Sequence, residues 1–223
     1  MLPTTRLAVF DLDGTLIDSR RDLADAANEM LAAYGGGPLA DDHVASMVGC
    51  GAPTLVKRVL AAGDVDVPLN EALPRFLTAY DQRLTHHTRP YDGIPDVLAD
   101  MRSRDMSMAL LTNKPFEQSV RILGAFGLAK YFQWVVGGDG PFPRKPAPDG
   151  LRFLMMQASV TADETVLIGD SAIDLETSRN AGVRICLARY GFGFADLPPG
   201  ELRGEESLVD TPAEIFGVLY ARR

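Results

Sequence analysis

The stretch that decides the fold is Arg-Leu-Ala-Val-Phe-Asp-Leu-Asp-Gly-Thr-Leu, which runs from Arg6 to Leu16. Its first half is a short apolar run bounded by polar residues, a pattern typical of a strand that is buried on both faces. Two carboxylates, Asp11 and Asp13, follow this run directly. Because ligands bind beyond the carboxyl ends of strands in open parallel sheets, the stretch predicts a buried strand with a polar site at its end.

Similar apolar runs recur further along the chain, at residues 107–111, 134–136, 165–168 and 183–187. Apolar residues at helical spacing separate these runs, and they are expected to pack in the core. One such stripe consists of Phe116, Val120, Leu123 and Phe126. Strands that alternate with helices predict an α/β fold, a Rossmann-like parallel sheet with helices on both faces.

Residues 18–88 interrupt this alternation, because they contain helical stripes and no convincing strand. Asn70 is the expected N-cap of the last helix in this segment. We interpret the segment as an α-helical cap domain, residues 18–88, inserted into an α/β catalytic core of residues 1–17 and 89–223. Residues 18–20 and 89–91 are the expected hinges of this cap.

Composition and charge restrict the classes of partner. The net charge of −8 argues against nucleic acid, whose phosphates require clustered Lys and Arg, but a small anionic substrate needs only a local positive site. No apolar run approaches the roughly 20 residues of a membrane span, and no signal-peptide pattern is present. Cys50 and Cys186 are expected to be reduced thiols in a cytoplasmic protein. A monomer and a weak dimer both remain open.

The two carboxylates after the first strand predict a cation site. Asp11 and Asp13 are separated by one residue, and such close like charges repel each other unless a cation lies between them or one is protonated. A divalent metal with oxygen ligands meets this need. Gly14 permits a turn whose backbone N–H groups could point at an anion.

Further polar residues follow other predicted strands or lie in loops. Thr112 and Asn113 come after the run 107–111 and could hydrogen-bond phosphate oxygens. Lys145 offers a compact positive charge. Asp170 and Asp174 follow the run 165–168 and add two carboxylates to the same edge. Each residue alone has an ordinary interpretation as a turn, cap or surface residue, but their joint occurrence favours one functional site.

The order and spacing of these residues resemble those of the haloacid dehalogenase superfamily. The four motifs of that family match, in order, Asp11 to Ser19, Thr112, Lys145, and Gly169 to Ser171 with Asp174. The helical insert is similar to the type-one cap of the superfamily. Within it, the chain is most similar to phosphoglycolate phosphatases, in the segments 112–115, 137–139, 145–148 and 169–174.

The resemblance implies a magnesium-dependent phosphatase that acts through an aspartyl-phosphate intermediate. Asp11 would be the nucleophile and Asp13 the general acid and base. Mg²⁺ would be bound by the side chains of Asp11 and Asp170 and by the backbone carbonyl of Asp13. Thr112 and Lys145 would be catalytic residues as well.

The resemblance also implies the residues that surround the reacting groups. Gly14, Thr112, Asn113 and Lys145 would bind the phosphate of the substrate. Asp174 would orient a water molecule or Lys145 from outside the metal site.

Several functions remain open at this stage. The partner is expected to be a small phosphorylated metabolite, with phosphoglycolate the first candidate and sugar phosphates, pyrophosphate and nucleotides as alternatives. A mutase similar to β-phosphoglucomutase would use the same chemistry and return the phosphoryl group to a sugar. A binding module without activity is disfavoured, because no residue of the motif set has been lost.

Substrate selectivity is expected in the cap, around Gly49, Cys50 and Gly51. Lys57 and Arg58 are candidate cations for an acidic substrate, or else solvated helix residues.

Overall fold

A computed structural model describes residues 5–220 and has the α/β architecture that the sequence predicts. Its strands are β1 (Leu7–Phe10), β2 (Ile17–Asp18), β3 (Arg89–Pro90), β4 (Ser107–Leu111), β5 (Trp134–Val136), β6 (Thr165–Gly169), β7 (Arg184–Ala188) and β8 (Ser207–Val209). Its helices are α1 (Arg20–Ala33), α2 (Asp41–Ala45), α3 (Ala52–Ala62), α4 (Leu69–Asp81), α5 (Ile94–Ser103), α6 (Phe116–Ala125), α7 (Asp149–Ala158), α8 (Ala172–Ala181) and α9 (Pro212–Tyr220). Two short 3-10 turns lie at Ala129–Tyr131 and Phe194–Asp196.

Six strands form one parallel sheet in the order β5-β4-β1-β6-β7-β8. β1 lies inside this sheet, where Leu7 is paired with Ser107 of β4 on one side and with Thr165 of β6 on the other. The crossovers that parallel pairing requires are made by helices. No helix within residues 5–220 has the length and apolarity needed to cross a bilayer.

The residues of β1 alternate between two hydrophobic layers. Leu7 and Val9 pack in one cluster of buried residues, and Ala8 and Phe10 pack in the other. All four are fully buried, because successive side chains of a strand point to opposite faces and helices cover both faces. This arrangement fixes the direction of the chain where it leaves the sheet at Asp11.

Three details of the fold differ from the sequence predictions. β8 was not predicted, because its three residues at the sheet edge give too short an apolar run. The predicted core stripe of α6 is wrong at Phe116 and Val120, which are exposed, because the helix buries Ser119 and Ile122 instead; it is right at Leu123, which is buried. Asn70 is not an N-cap, because α4 begins at Leu69 and Asn70 therefore lies within its first turn.

The helical segment leaves and rejoins the rest of the chain through a short antiparallel ribbon. Ile17 pairs with Pro90 and Asp18 pairs with Arg89, at the two predicted hinges. Helices α1 to α4 lie between these two strands in sequence. The exact domain boundaries stay a prediction. The chain passes once from the core to the helical segment and once back, and both passages lie in this ribbon.

Asp22 joins the beginning of the insert to its end. Its carboxylate lies on α1, is fully buried and accepts hydrogen bonds from the backbone N–H groups of His87 (3.0 Å) and Thr88 (2.8 Å). The Thr88 hydroxyl donates a further bond of 2.7 Å. Hydrogen bonds to charged groups are stronger than neutral ones, so this carboxylate holds the ribbon and α1 together.

Replacing this carboxylate should destabilise the fold. We expect Asp22→Ala to lower the free energy of unfolding by about 2–3 kcal/mol, because buried donors of residues 87 and 88 lose their acceptor. Chemical denaturation followed by circular dichroism measures the change. The control Asp25→Ala, at a half-buried position of the same helix, should stay within about 0.5 kcal/mol of the wild type. Equal effects of the two substitutions would contradict the assigned role of Asp22.

Candidate active site

The ends of three neighbouring strands bring the predicted site residues together. Asp11 follows β1, Thr112 follows β4 and Asp170 follows β6, and these strands are adjacent in the sheet. Lys145 lies in the loop between β5 and α7 and reaches the same edge. All four residues are buried, so the edge of the sheet forms an enclosed polar site.

Lys145 lies between two carboxylates. Its Nζ atom is 2.9 Å from Asp11 Oδ1 and donates a hydrogen bond of 2.6 Å to Asp174 Oδ1. Burial alone would lower the pKa of this ammonium group, but the carboxylates of Asp11 and Asp174 outweigh burial and raise the pKa above its ordinary value. Lys145 is therefore a fixed positive charge beside Asp11.

Asp11 is a buried acid that still ionises near neutral pH. Burial is the largest influence and raises the pKa of Asp11 to about 6, although the Lys145 ammonium opposes this rise. At neutral pH the side chain is then mostly a carboxylate. It lines a cavity and is only 8% exposed, so it is largely protected from bulk water.

Asp170 is held by two donors on the far side of the site. Thr15 Oγ1 donates to Oδ1 (3.0 Å), and the backbone N–H of Gly193 donates to Oδ2 (2.8 Å). Burial, followed by repulsion from Asp174 and Asp11, raises the pKa of Asp170 well above its ordinary range. Such a group gains most from a nearby cation.

The group of Asp11, Asp170 and Asp174 fits a divalent metal ion. Their carboxylates offer ligand atoms that all lie within 4.8 Å of one another. Three carboxylates against the single ammonium of Lys145 leave an excess of negative charge, and hard oxygen ligands are what Mg²⁺ prefers. The oxygens of Asp174 are already engaged, one by Lys145 and the other by Ser171, whose hydroxyl donates at 2.6 Å at the start of α8.

Asp13 has two partners that were not singled out from the sequence. Lys114 Nζ donates to both of its carboxylate oxygens, at 2.8 and 2.9 Å, and Ser19 Oγ donates at 2.6 Å. Lys114 is buried, and its ammonium lies 4.5 Å from the ring centroid of Tyr80 on α4. Its position directly after two predicted phosphate-binding residues was the available signal for Lys114.

Two predicted phosphate-binding residues have structural tasks in addition. The backbone N–H of Gly14 donates to the carbonyl of Ile17 (2.9 Å), so this group is not free to meet an anion as expected. Asn113 Nδ2 donates to the carbonyls of Gly49 (2.8 Å) and Lys145 (2.9 Å), and thus joins the insert to the core. The buried Oδ1 atom of Asn113 has no partner within residues 5–220.

A small cavity of about 50 Å³ opens above Asp11 and Asp13. Its core side includes Thr112 and Lys114, and its insert side includes Gly49, Gly51, Leu55, Phe76 and Tyr80. Lys57 and Arg58 are exposed and do not line it. Arg58 instead donates to the carbonyl of Met47 (3.0 Å). The exposure of Lys57 and Arg58 agrees with the alternative interpretation, in which both are solvated helix residues.

Comparison with known proteins identifies the family. Residues 8–188 match the haloacid dehalogenase-like hydrolase family. The phosphoglycolate phosphatase of Pseudomonas fluorescens Pf-5 is 40% identical over 193 residues, which cover 84% of this chain and 70% of that protein. The plasmid phosphoglycolate phosphatase of Cupriavidus necator is 36% identical over 224 residues, or 100% of this chain and 96% of that protein.

A solved structure agrees in fold. The crystal structure of a predicted phosphoglycolate phosphatase from Haemophilus somnus 129pt has a TM-score of 0.90 with 24% identity, and the match covers 98% of this chain and 99% of that one. The family match extends over most of the chain and includes the motif residues from Asp11 to Asp174. The chain therefore belongs to the haloacid dehalogenase-like hydrolases and is a phosphoric monoester hydrolase.

Proposed function

We propose that the protein hydrolyses phosphoglycolate in a magnesium-dependent reaction that forms an aspartyl-phosphate on Asp11. The observation that carries this proposal is the ion pair of Asp11 with the buried Lys145, at the edge where Thr112 and Asp170 also converge. The names of the relatives with 40% and 36% identity support the choice of substrate.

In the first half-reaction, a carboxylate oxygen of Asp11 attacks the phosphorus atom and the bond to the ester oxygen breaks. Attack by an anion on a phosphate dianion requires fixed positive charge and hydrogen-bond donors. Lys145, 2.9 Å from Asp11, supplies the charge. The buried Thr112 hydroxyl, which lines the same cavity, would donate to a phosphoryl oxygen.

Asp13 would move the protons of both half-reactions. It gives a proton to the departing alkoxide, and then takes one from the water that attacks the phosphorus of the aspartyl-phosphate. This second step releases phosphate and restores the Asp11 carboxylate. Ser19 and Lys114 hold the Asp13 carboxylate in one orientation, which favours accurate proton transfer.

The magnesium ion would be held by the side chains of Asp11 and Asp170 and by the backbone carbonyl of Asp13. When bound, it supplies positive charge against the phosphate oxygens. Asp174 would keep Lys145 in place, since it accepts the 2.6 Å hydrogen bond from Nζ and is itself fixed by Ser171.

The size of the cavity supports a short substrate over a sugar phosphate or nucleotide. A water molecule occupies about 10–15 Å³ on this measure, so 50 Å³ corresponds to a few water molecules. A mutase must hold a whole sugar phosphate, which is larger than phosphoglycolate, beside the aspartyl-phosphate.

The unpaired thiols Cys50 and Cys186 support a reducing compartment, and we place the enzyme in the cytoplasm.

Loss of the nucleophile should abolish turnover. We expect Asp11→Asn to lower the rate of phosphate release from phosphoglycolate about a thousand-fold or more, because an amide cannot form the intermediate. Asp163→Asn is the matched control, as this exposed acid precedes β6 at the opposite end of the strand. Activity of Asp11→Asn close to that of the wild type would refute the assigned nucleophile.

Magnesium should stabilise the protein more at high pH than at low pH. The raised pKa values of Asp11 and Asp170 mean that the metal-free fold takes up protons at a pH where the unfolded chain does not. For Asp11, the stability of the metal-free fold therefore falls as the pH rises through the interval between about 4 and 6, and the raised pKa of Asp170 acts in the same direction. A cation that replaces these protons should raise the melting temperature strongly at about pH 8 and weakly at about pH 5.

Thermal denaturation with and without Mg²⁺ measures this difference without an activity assay. Asp170→Asn should remove most of the magnesium-induced shift, while the control Asp163→Asn should keep it. A shift of equal size at both pH values, or one that survives in Asp170→Asn, would contradict the proposed metal site.

A further inference from the structure

We propose that Lys114, Tyr80 and Gln118 form a subsite that binds a carboxylate on the leaving group. The enzyme would then prefer phosphomonoesters of short hydroxy acids to those of neutral alcohols. The inference rests on the proposed function, since it assumes that the ester is attacked by Asp11 in the same cavity.

Lys114 supplies the positive charge of this subsite. Among the described residues that line the cavity, it is the single cationic side chain. Two of its contacts are the Asp13 oxygens, at 2.8 and 2.9 Å, and an ammonium group carries three donor protons. Because the Lys114 side chain is only 4% exposed, a carboxylate that reaches it meets little competition from water.

Tyr80 supplies a hydroxyl proton for which residues 5–220 offer no acceptor. The residue is only 3% exposed, and the neighbouring ammonium of Lys114 is itself a donor that cannot accept this proton. Burial is the main cause that raises the pKa of Tyr80 to about 12, so the hydroxyl stays protonated. Buried polar groups are normally hydrogen-bonded, and a missing partner in a cavity wall points to a ligand.

Gln118 supplies a second unsatisfied group on the same wall. Its Oε1 atom is buried without a partner within the described chain, and the residue lines the cavity from the first turn of α6. Rotation of the amide by half a turn would present its NH₂ group instead, because the two orientations fill the same space. The positive end of the α6 dipole adds to the preference for an anion here.

The position of the subsite suits a short leaving group. Lys114 is in direct contact with Asp13, the residue that would protonate the leaving oxygen. A carboxylate bound to Lys114 would therefore lie close to that oxygen, as it does in a short leaving group. The remaining insert wall is apolar, with Leu55 and Phe76, and offers nothing to sugar hydroxyls. An anion close to the ester oxygen is the feature that these groups recognise.

The test compares phosphoglycolate with its neutral amide, phosphoglycolamide, which has almost the same shape. We expect the wild type to prefer phosphoglycolate about 100-fold in kcat/KM, the value of one or two hydrogen bonds to a charged group. Lys114→Met should reduce this preference to within about threefold. Since Lys114 also touches Asp13, the substitution will lower the rates of hydrolysis of both esters. The ratio of the two kcat/KM values therefore reports on the subsite alone.

Tyr80→Phe provides a second variant that keeps the aromatic ring over Lys114. It should reduce the preference for phosphoglycolate about tenfold by removing the unpartnered hydroxyl, and it decides the question if Lys114→Met does not fold. Lys57→Met, on the exposed face of α3, is the matched control and should keep the wild-type preference.

The outcomes separate the subsite from the proposed function. If the wild type hydrolyses both esters with equal kcat/KM, or if Lys114→Met and Tyr80→Phe both keep its preference, the subsite is refuted and the phosphatase chemistry stands. If the wild type hydrolyses neither ester but releases phosphate from a different phosphomonoester, the proposed substrate is wrong and the subsite is overturned with it.

Discussion

The structure depends on one buried ammonium group, that of Lys145, which lies between Asp11 and Asp174. Asp11, Asp170 and Asp174 are placed within 4.8 Å of one another, and such a group of carboxylates repels itself strongly in a buried site. The parallel sheet creates this crowding, because it brings the ends of β1 and β6 together. Lys145 relieves part of it, and the excess negative charge that remains is what a metal ion would balance.

Close backbone packing is the second requirement of the site. A Cβ atom at Gly14 would lie 2.0 Å from Asp170 Oδ2, and the φ of +85° at Gly14 is one that residues with side chains rarely adopt. A Cβ atom at Gly191 would likewise lie 2.3 Å from the Asp170 Cβ atom. The Asp-x-Asp-Gly segment thus needs its glycine to let Asp170 approach Asp11, more than to present an N–H group to phosphate.

The sequence was informative about features that depend on a single strand and on the residues directly after it. Apolar runs predicted five of the strands in the main sheet, and the polar residues at their ends predicted that Asp11, Thr112 and Asp170 would meet. It was uninformative about contacts between side chains far apart in the chain, such as Lys114 with Asp13, 101 positions away. A lysine beside a helix start has many possible partners, and only the path of the chain selects one. The exposure of Phe116 has the same cause, because helical spacing does not say which face meets the sheet.

The helical insert contributes to the candidate active site through contacts with the same residues that surround Asp11 and Asp13. Asn113 donates to one carbonyl on each side, that of Gly49 in the insert and that of Lys145 in the core, so the loop that carries the key ammonium group is tied to the insert. Tyr80 covers Lys114, which in turn holds Asp13. A displacement of the insert would therefore break contacts to the partners of both Asp11 and Asp13 and also admit water. Enclosure of the cavity and orientation of the Asp11 and Asp13 side chains are, for this reason, physically linked in this protein.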